Sequence, residues 1–216
     1  MERLARTSVL AVASMLLMAS AAAAQDTPSF FVTGGVFASV ERSSHIELDD
    51  GVFPALDGTV AGGTVAAGAW LTPRVTVRVE FAFRGSLEAS DSRTTGISFP
   101  PATTFTETRH DTDKLRSGSV LAAYHTRGGK AVRLEYIGGI AFVYLRRSSS
   151  TEISPAPPGV ILPRSETSSI SYGTAAVVGL DVPVRVTARL DIVPQIRAQS
   201  TGGLTIRPGI GVRVRF

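Results

Sequence analysis

Apolar and polar side chains alternate along most of the chain after about residue 29, which is the pattern of β-strands with two unlike faces. The clearest segment is 74–84, RVTVRVEFAFR, in which valine or phenylalanine occupies every second position and most of the others are charged or threonine. Segments 184–198 and 204–216 repeat this pattern. Weaker alternation predicts further strands at 29–42, 58–71, 113–126, 131–146 and 168–182, which makes about eight in total.

The predicted connections between these strands are alternately long and short. The long ones are 43–57, 85–112 and 147–167, and the short ones lie at Thr72-Pro73, 127–129 and 181–183. The last, at 200–203, is short where the alternation expects a long one. Transmembrane barrels have tight turns at one membrane face and long loops at the other. We therefore predict an all-β fold, an eight-stranded antiparallel up-and-down transmembrane β-barrel with both termini at the end of the short turns.

Alternation alone leaves open whether the apolar face meets lipid or the core of a soluble lipocalin-like barrel. Residues 75–83 would climb roughly 20–25 Å at about 3.3 Å per residue and a tilt near 40°, which matches the apolar band of an outer-membrane barrel. Aromatic residues also fall near the strand ends, as the two interfacial girdles of such barrels require. The predicted lower girdle is Phe30, Phe31, Trp70, Tyr124 and Phe216, and the upper one is Phe81, Phe83, Phe142, Tyr144 and Tyr172.

The opposite face of the strands carries charge of both signs, with arginine in excess. Its members are Arg78, Glu80, Arg84, Arg133, Glu135, Arg185, Arg189, Asp191, Arg207 and Arg213. Inside a closed barrel these groups must pair, because an unpaired buried charge is costly. We therefore predict that Glu80 and Glu135 lie within ion-pair distance of inward-facing arginines.

The N-terminal residues have the pattern of a cleavable export signal. Arg3 and Arg6 precede the uncharged segment 7–24, and Ala22 and Ala24 supply the small side chains that a signal peptidase requires. We expect a signal peptide at 1–24, cleavage before Gln25, and one barrel domain at 25–216. The alternative is an uncleaved membrane anchor.

Composition excludes several other classes. The chain has no cysteine, which excludes a lipid-modified cysteine, disulfides and thiolate metal sites. The formal net charge of +4 is spread singly along the strands, and nucleic-acid binding needs a concentrated basic patch. No uncharged run of 18 residues follows the leader, so helical membrane spans are not expected.

The leader, the alternating strands, the loop rhythm and the terminal GVRVRF resemble the small bacterial outer-membrane β-barrel proteins, a group that includes the OmpA-like transmembrane domain. Phe216, with Val214 and Val212 at alternate positions, is similar to the C-terminal signal read by the barrel-assembly machinery. The resemblance implies insertion by that machinery, location in the bacterial outer membrane and contact with its lipids. It is specific for architecture and weak for function.

Some barrels of this class modify lipid A, and the deacylase type places a histidine and a serine at neighbouring positions of one strand. None of His45, His110 and His125 is followed by a serine in that arrangement. His110 and Asp111 could assemble an acid–base pair with a loop serine, but a solvated loop explains the same residues.

Metal and phosphate sites are equally weakly supported. His45, Glu47, Asp49 and Asp50 could meet a cation, although their spacing matches neither an EF-hand nor a zinc pattern. The glycine pairs at 34–35, 62–63 and 138–139 do not open helices, so we interpret them as points where strands bend or pack closely. We predict no catalytic, cofactor or metal site.

The expected function is that of a non-enzymatic integral outer-membrane barrel. It would support the envelope or present loops 85–112 and 147–167 to an extracellular partner. The alternatives are a soluble periplasmic lipocalin-like carrier, a lipid A-modifying barrel enzyme and a narrow porin. Eight strands leave an interior just filled by side chains, which disfavours an open pore.

Overall fold

The computed structural model describes residues 30–43, 47–48, 51–52, 58–97, 103–126, 132–154, 165–200 and 203–216. The predicted leader at 1–24 lies outside these ranges. The strands in the described residues are β1 (Phe30–Ser43), β2 (Glu47–Leu48), β3 (Gly51–Val52), β4 (Gly58–Thr72), β5 (Val75–Arg84), β6 (Leu87–Ile97), β7 (Thr103–His125), β8 (Glu135–Ser154), β9 (Ser165–Asp181), β10 (Val184–Arg185), β11 (Leu190–Ser200) and β12 (Gly203–Arg215). No helix in the described ranges is long and apolar enough to cross a membrane.

Eight of these strands close into a ring in which every neighbour is antiparallel. The order is β1, β4, β5, β7, β8, β9, β11 and β12, and β12 pairs back onto β1 from Phe31–Arg215 to Ser43–Gly203. β10 continues β9 along β11, while β6 continues β5 along β7. The predicted eight-stranded antiparallel barrel is therefore confirmed.

The segments predicted as long polar loops, 85–112 and 147–167, are largely strand. β6 pairs with the first half of β7 from Leu87–Asp113 to Ile97–Thr103, and β8 pairs with β9 as far as Thr151–Ser165. Serine and threonine predominate in these extensions, and neither face carries a regular apolar row. The pattern of alternation therefore gave no strand signal there, although the backbone ladder continues.

The turn predicted at 181–183 lies instead at 186–189. The N–H of Val186 donates to the carbonyl of Leu190 at 2.9 Å, and β10 pairs with β11 through Val184–Ile192. Arg185 and Arg189, which we predicted on the inward face, are exposed at this turn, although Arg185 lies opposite buried Asp191 and so keeps the inward side of the ladder. The prediction failed because the alternation of apolar and polar residues runs without interruption through the turn itself.

The apolar face of the ring points outward and the polar face inward. Phe81 is 56% exposed and Val36 is 63% exposed, whereas Arg78 and Glu80 are buried. The inner face of β7, β8 and β9 is different, because it is lined by an apolar cluster. That cluster comprises Leu121, Ala123, Ile137, Ala141, Val143, Ala175 and Val177.

The aromatic girdles are confirmed only in part. Tyr124 and Phe216 are exposed at the end of the short turns, and Phe81, Phe83, Phe142 and Tyr172 are exposed towards the long hairpins. Phe31 and Trp70, by contrast, belong to the interior, where their ring centroids lie 6.3 Å apart. Tyr136, which lies opposite Tyr124 and is exposed, is an additional member of the lower girdle.

Candidate functional site

Asp181, at the end of β9, is the centre of a buried ion-pair network inside the barrel. Its carboxylate is 0% exposed and lies 2.9 Å from Nη1 of Arg78 on β5 and 2.6 Å from Nη1 of Arg197 on β11. Nη2 of Arg213 on β12 lies 3.6 Å from the same group. Alternation directs all four side chains inward, so one carboxylate links four strands across the interior.

The two glutamates predicted to pair with arginine do so. Glu135 accepts two hydrogen bonds from Arg213, at 2.6 and 2.8 Å, and Glu80 lies 3.5 Å from Arg197. The paired hydrogen bonds between Arg213 and Glu135 are the strongest form of an arginine–carboxylate contact. The prediction for Glu80 and Glu135 is confirmed.

The buried interior charges balance among the described residues, so the arginine excess that the sequence suggested does not hold there. The buried basic set is Arg78, Arg84, Arg197, Arg207, Arg213 and Arg215, and the buried acidic set is Glu80, Asp111, Asp113, Glu135, Asp181 and Asp191. Equal numbers of the two signs allow pairing to offset most of the cost of burial.

Two of these arginines also lie over aromatic rings of β1. The guanidinium carbon of Arg213 lies 4.7 Å from the ring centre of Phe31, and that of Arg207 lies 5.4 Å from the ring centre of Phe37. Contacts of this kind stabilise a desolvated cation through the negative face of the ring. They explain why two phenylalanines turn inward among charged groups.

His125 lies in a chain of polar groups near the end of the short turns. Its Nε2 is 3.2 Å from Oγ1 of Thr76, and its Nδ1 is 3.1 Å from Oε1 of Glu135. Hydroxyl, imidazole and carboxylate therefore stand in the order of a nucleophile, a base and an orienting acid. This contact could not be predicted from the sequence, because Thr76 is 49 positions from His125 and meets it only through the ladder between β5 and β7.

The surroundings of Thr76, His125 and Glu135 oppose catalysis by these three groups. Thr76 is 1% exposed, and the ring of Trp70 lies 4.3 Å from that of His125. The contact between His125 and Glu135 does not meet hydrogen-bond geometry, and Glu135 is already held by Arg213. A reacting hydroxyl needs access to its substrate and an oriented base, so this arrangement serves packing and charge pairing.

Among the described residues, the one other histidine, His110, does not assemble a site. His110 is exposed on β7, opposite Ser90 and Ser150, while its neighbour Asp111 is buried on the other face and pairs with Arg109 at 3.1 Å. Of the candidate metal ligands, His45, Asp49 and Asp50 and the side chain of Glu47 lie outside the described residues. Within the described part of the chain, no three potential ligands are grouped around a metal position.

A second set of ion pairs lies at the base of the long hairpins. Arg147 donates two hydrogen bonds to Asp113, at 2.9 and 3.0 Å, and Arg84 donates to Glu41 at 3.0 Å. The hydrogen bond from Arg147 to the Asp113 carboxylate raises the pKa of this arginine above its ordinary value. These pairs join β1 to β5 and β7 to β8 at the outer rim.

The distribution of side chains shows which face of the sheet would meet lipid and which lines the interior. A soluble carrier barrel would place its apolar face inside, around the ligand. Here the inside holds the ion pairs, and the exposed outside carries valine, isoleucine, leucine and aromatic residues. An exposed apolar surface of this extent around a closed barrel is the lipid-facing surface of a transmembrane barrel.

The structure of a known outer-membrane protein supports the same fold. The chain is similar to Neisserial surface protein A, with a TM-score of 0.54 and 15% identity over 87% of this chain and 97% of that one. It also matches the N-terminal β-barrel domain of Pseudomonas aeruginosa OprF (TM-score 0.49, 14% identity, 87% and 98% covered) and the Ail protein of Yersinia pestis (0.49, 14%, 88% and 100%). No protein-family model and no curated protein matches the chain. The prediction of a small outer-membrane-type β-barrel is confirmed at the level of the fold.

Proposed function

We propose that the chain is a non-enzymatic integral barrel of the bacterial outer membrane, which supports the envelope and presents its long hairpins outside the cell. The observation that carries this proposal is the closed ring with ion pairs inside and exposed apolar side chains outside. Only a closed barrel or a helix can satisfy all backbone hydrogen bonds in lipid. The ring therefore meets the main requirement for a membrane-spanning sheet.

The height of the apolar band also supports this proposal. On the outer face of β7 and β8, the band runs from the Tyr124–Tyr136 pair to the level where Arg116 lies opposite Tyr144. At about 3.4 Å per residue and a tilt near 40°, these eight steps along β7 rise roughly 21 Å. That height is close to the apolar band of outer-membrane barrels, about 25 Å.

The interior supports a role without bulk transport. Arg78 reaches from β5 to Asp181 on β9, and Arg197 and Arg213 join them from β11 and β12. All four side chains are buried, so they fill the middle of the barrel. The enzyme alternative has no comparable support, because the Thr76–His125 contact is sealed by Trp70.

Export and assembly complete the proposal. We propose that residues 1–24 are removed after Ala24 and that the barrel-assembly machinery recognises the C-terminal segment ending at Phe216. The Phe216 side chain is exposed, and its ring lies 6.2 Å from that of Phe30 at the end of the short turns. This position leaves it accessible at one rim, as a recognition signal requires.

The test is the electrophoretic mobility of the full chain, expressed in a Gram-negative host and extracted from the outer-membrane fraction. A membrane barrel stays folded in SDS until boiled, so heated and unheated samples should migrate differently. Recovery of the mature chain from the soluble periplasm, with one mobility before and after heating, would overturn the proposal.

A further inference from the structure

Three basic residues on the outer face of β7 and β8 take no part in the ion-pair network of the interior. Lys114 lies directly opposite Arg146, and Arg116 is the next outward-facing residue along β7 from Lys114. All three side chains are exposed, and no ion pair joins them to a carboxylate of the described residues. The nearest outward-facing acid in the register, Glu88, lies opposite Thr112 and is itself exposed. We call Lys114, Arg116 and Arg146 the outer cation cluster.

The cluster is electrostatically unfavourable by itself. Side chains directly opposite on antiparallel strands have their Cβ atoms about 5 Å apart, and like charges at such positions repel. Inside the barrel, the same sequence pairs its arginines with carboxylates, as in the Arg213–Glu135 contact. A bound anion between the cations would remove the repulsion.

The level of the cluster indicates what kind of anion it meets. Arg116 lies opposite Phe83 on β5 and opposite Tyr144 on β8, within the upper aromatic girdle. Lys114 and Arg146 lie two residues further towards the long hairpins. Aromatic girdles mark the boundary between hydrocarbon and headgroups, so the cluster faces the headgroup layer.

The outward side chains described at the upper ends of β4, β11 and β12 are uncharged, and they include Thr59, Ala61, Ser200 and Leu204. A cation cluster is therefore not a feature of every strand at this level.

We propose that the outer cation cluster binds the phosphate group of a phosphorylated lipid in the leaflet from which the long hairpins emerge. The two arginines can each offer paired N–H donors to phosphate oxygens, and Lys114 adds a point charge. Clustered basic residues at a membrane surface bind anionic headgroups in this way. The inference rests on the membrane location proposed above and extends it to a particular class of lipid.

The experiment uses the full chain in a neutral detergent, titrated with bisphosphorylated lipid A and with the same lipid after removal of its phosphates. Native mass spectrometry then counts the lipid molecules bound per barrel. The variant K114Q/R116Q/R146Q is compared with R74Q/R185Q/R189Q, which removes three exposed arginines at the opposite rim. Because each surface cation contributes modestly, we expect the first variant to bind the phosphorylated lipid on the order of a hundredfold more weakly. The second variant should bind it as the unmodified chain does.

Two further arms complete the design. The dephosphorylated lipid should bind the unmodified chain as weakly as lipid A binds the first variant. Inorganic phosphate should fail to displace lipid A, because it lacks the acyl chains that hold the headgroup against the barrel. Equal binding by all three proteins, an equal loss in both variants, or displacement by inorganic phosphate would each overturn the proposal.

Folding is monitored separately through the heat-dependent mobility of each protein. A chain that shows the mobility shift but no phosphate-dependent binding contradicts the lipid site and leaves the barrel intact. If the triple variant does not fold, R146Q alone removes one of the two opposed cations, and we expect its affinity to fall about fivefold. Unchanged affinity in a folded R146Q would contradict the proposal.

Discussion

At the scale of single residues, the interior depends on a few carboxylates that each serve several arginines. Asp181 contacts Arg78, Arg197 and Arg213, which come from three different strands. Removing one partner of a buried ion pair leaves an uncompensated charge in a medium that solvates it poorly. The loss should therefore exceed that of a surface carboxylate by a wide margin.

We expect Asp181→Asn to lower the free energy of unfolding by about 3–5 kcal/mol, because the arginines around it lose their shared negative charge. Urea unfolding of the barrel in phospholipid vesicles would measure the change. Glu152→Gln is the matched control, since it removes one negative charge from an exposed position of β8 and should shift the free energy by no more than about 0.5 kcal/mol. Similar losses in the two variants would contradict a structural role for Asp181.

The face of a charged residue could be predicted from the sequence, whereas its partner could not. Alternation placed Glu80 and Glu135 inside, and the cost of an unpaired charge required an arginine nearby. The choice of Arg213 for Glu135 depends on side chains that meet across the ring from positions 78 residues apart. The inward orientation of Trp70 was missed because glycine and alanine blur the alternation of β4.

At the scale of the strand, the pair Gly138–Gly139 shows how closely β7 and β8 approach. A Cβ atom at Gly139 would meet the carbonyl oxygen of Val120 and would lie 2.9 Å from the Cα of Leu121, both of which are backbone atoms of β7. A Cβ atom at Gly138 would meet nothing within 4 Å. The packing of the strands therefore requires glycine at position 139 and not at position 138.

Gly139→Ala should destabilise the barrel by about 1–3 kcal/mol, because the added methyl group forces the β7 backbone to move. Gly138→Ala, the neighbouring control, should leave the stability within about 0.5 kcal/mol of the original. Urea unfolding in vesicles distinguishes the two. If Gly139→Ala were as stable as Gly138→Ala, the close approach of the strands at this point would be wrong.

Strand prediction succeeded where the surroundings impose two unlike faces. The segment 74–84 alternates clearly because one face meets lipid and the other meets the ion pairs. The extensions of β7 and β8 beyond the upper girdle lack that requirement, so Thr112 and Ser148 carry no apolar signal although they pair in register. Alternation of apolar and polar residues reveals a strand only where its two faces meet different surroundings. Backbone pairing between strands can continue where the two faces are alike.

At the scale of the whole molecule, the long hairpins are separable from the ring. Above Asp113 and Arg147, the extended parts of β6, β7, β8 and β9 pair with one another and have no partner in β1, β4, β11 or β12. Loops and extensions of this kind tolerate change better than the elements that they connect. Presentation of the hairpins and stability of the ring are therefore distinct properties.

Replacing residues 149–167 by Asn-Gly would join β8 to β9 through a two-residue turn above the Ser148–Ser168 pair. We expect the shortened chain to keep its heat-dependent mobility and an unfolding free energy within about 1 kcal/mol, because long surface connections contribute little to stability. Gel electrophoresis and urea unfolding would check both values. Loss of the mobility shift would show that the hairpin is needed to hold the ring closed.

The pairing of β12 with β1 also sets an order for folding. The ladder that closes the ring joins residues near 31 to residues near 215, so the most distant parts of the described sequence must meet before any strand is free of open edges. A nascent chain can form its hairpins early, but the sheet keeps two unsatisfied edges until the last 13-residue strand arrives. Until then the chain is exposed to pairing with other chains. The step most sensitive to delay is therefore ring closure, and a chain that stalls there is a candidate for aggregation or proteolysis.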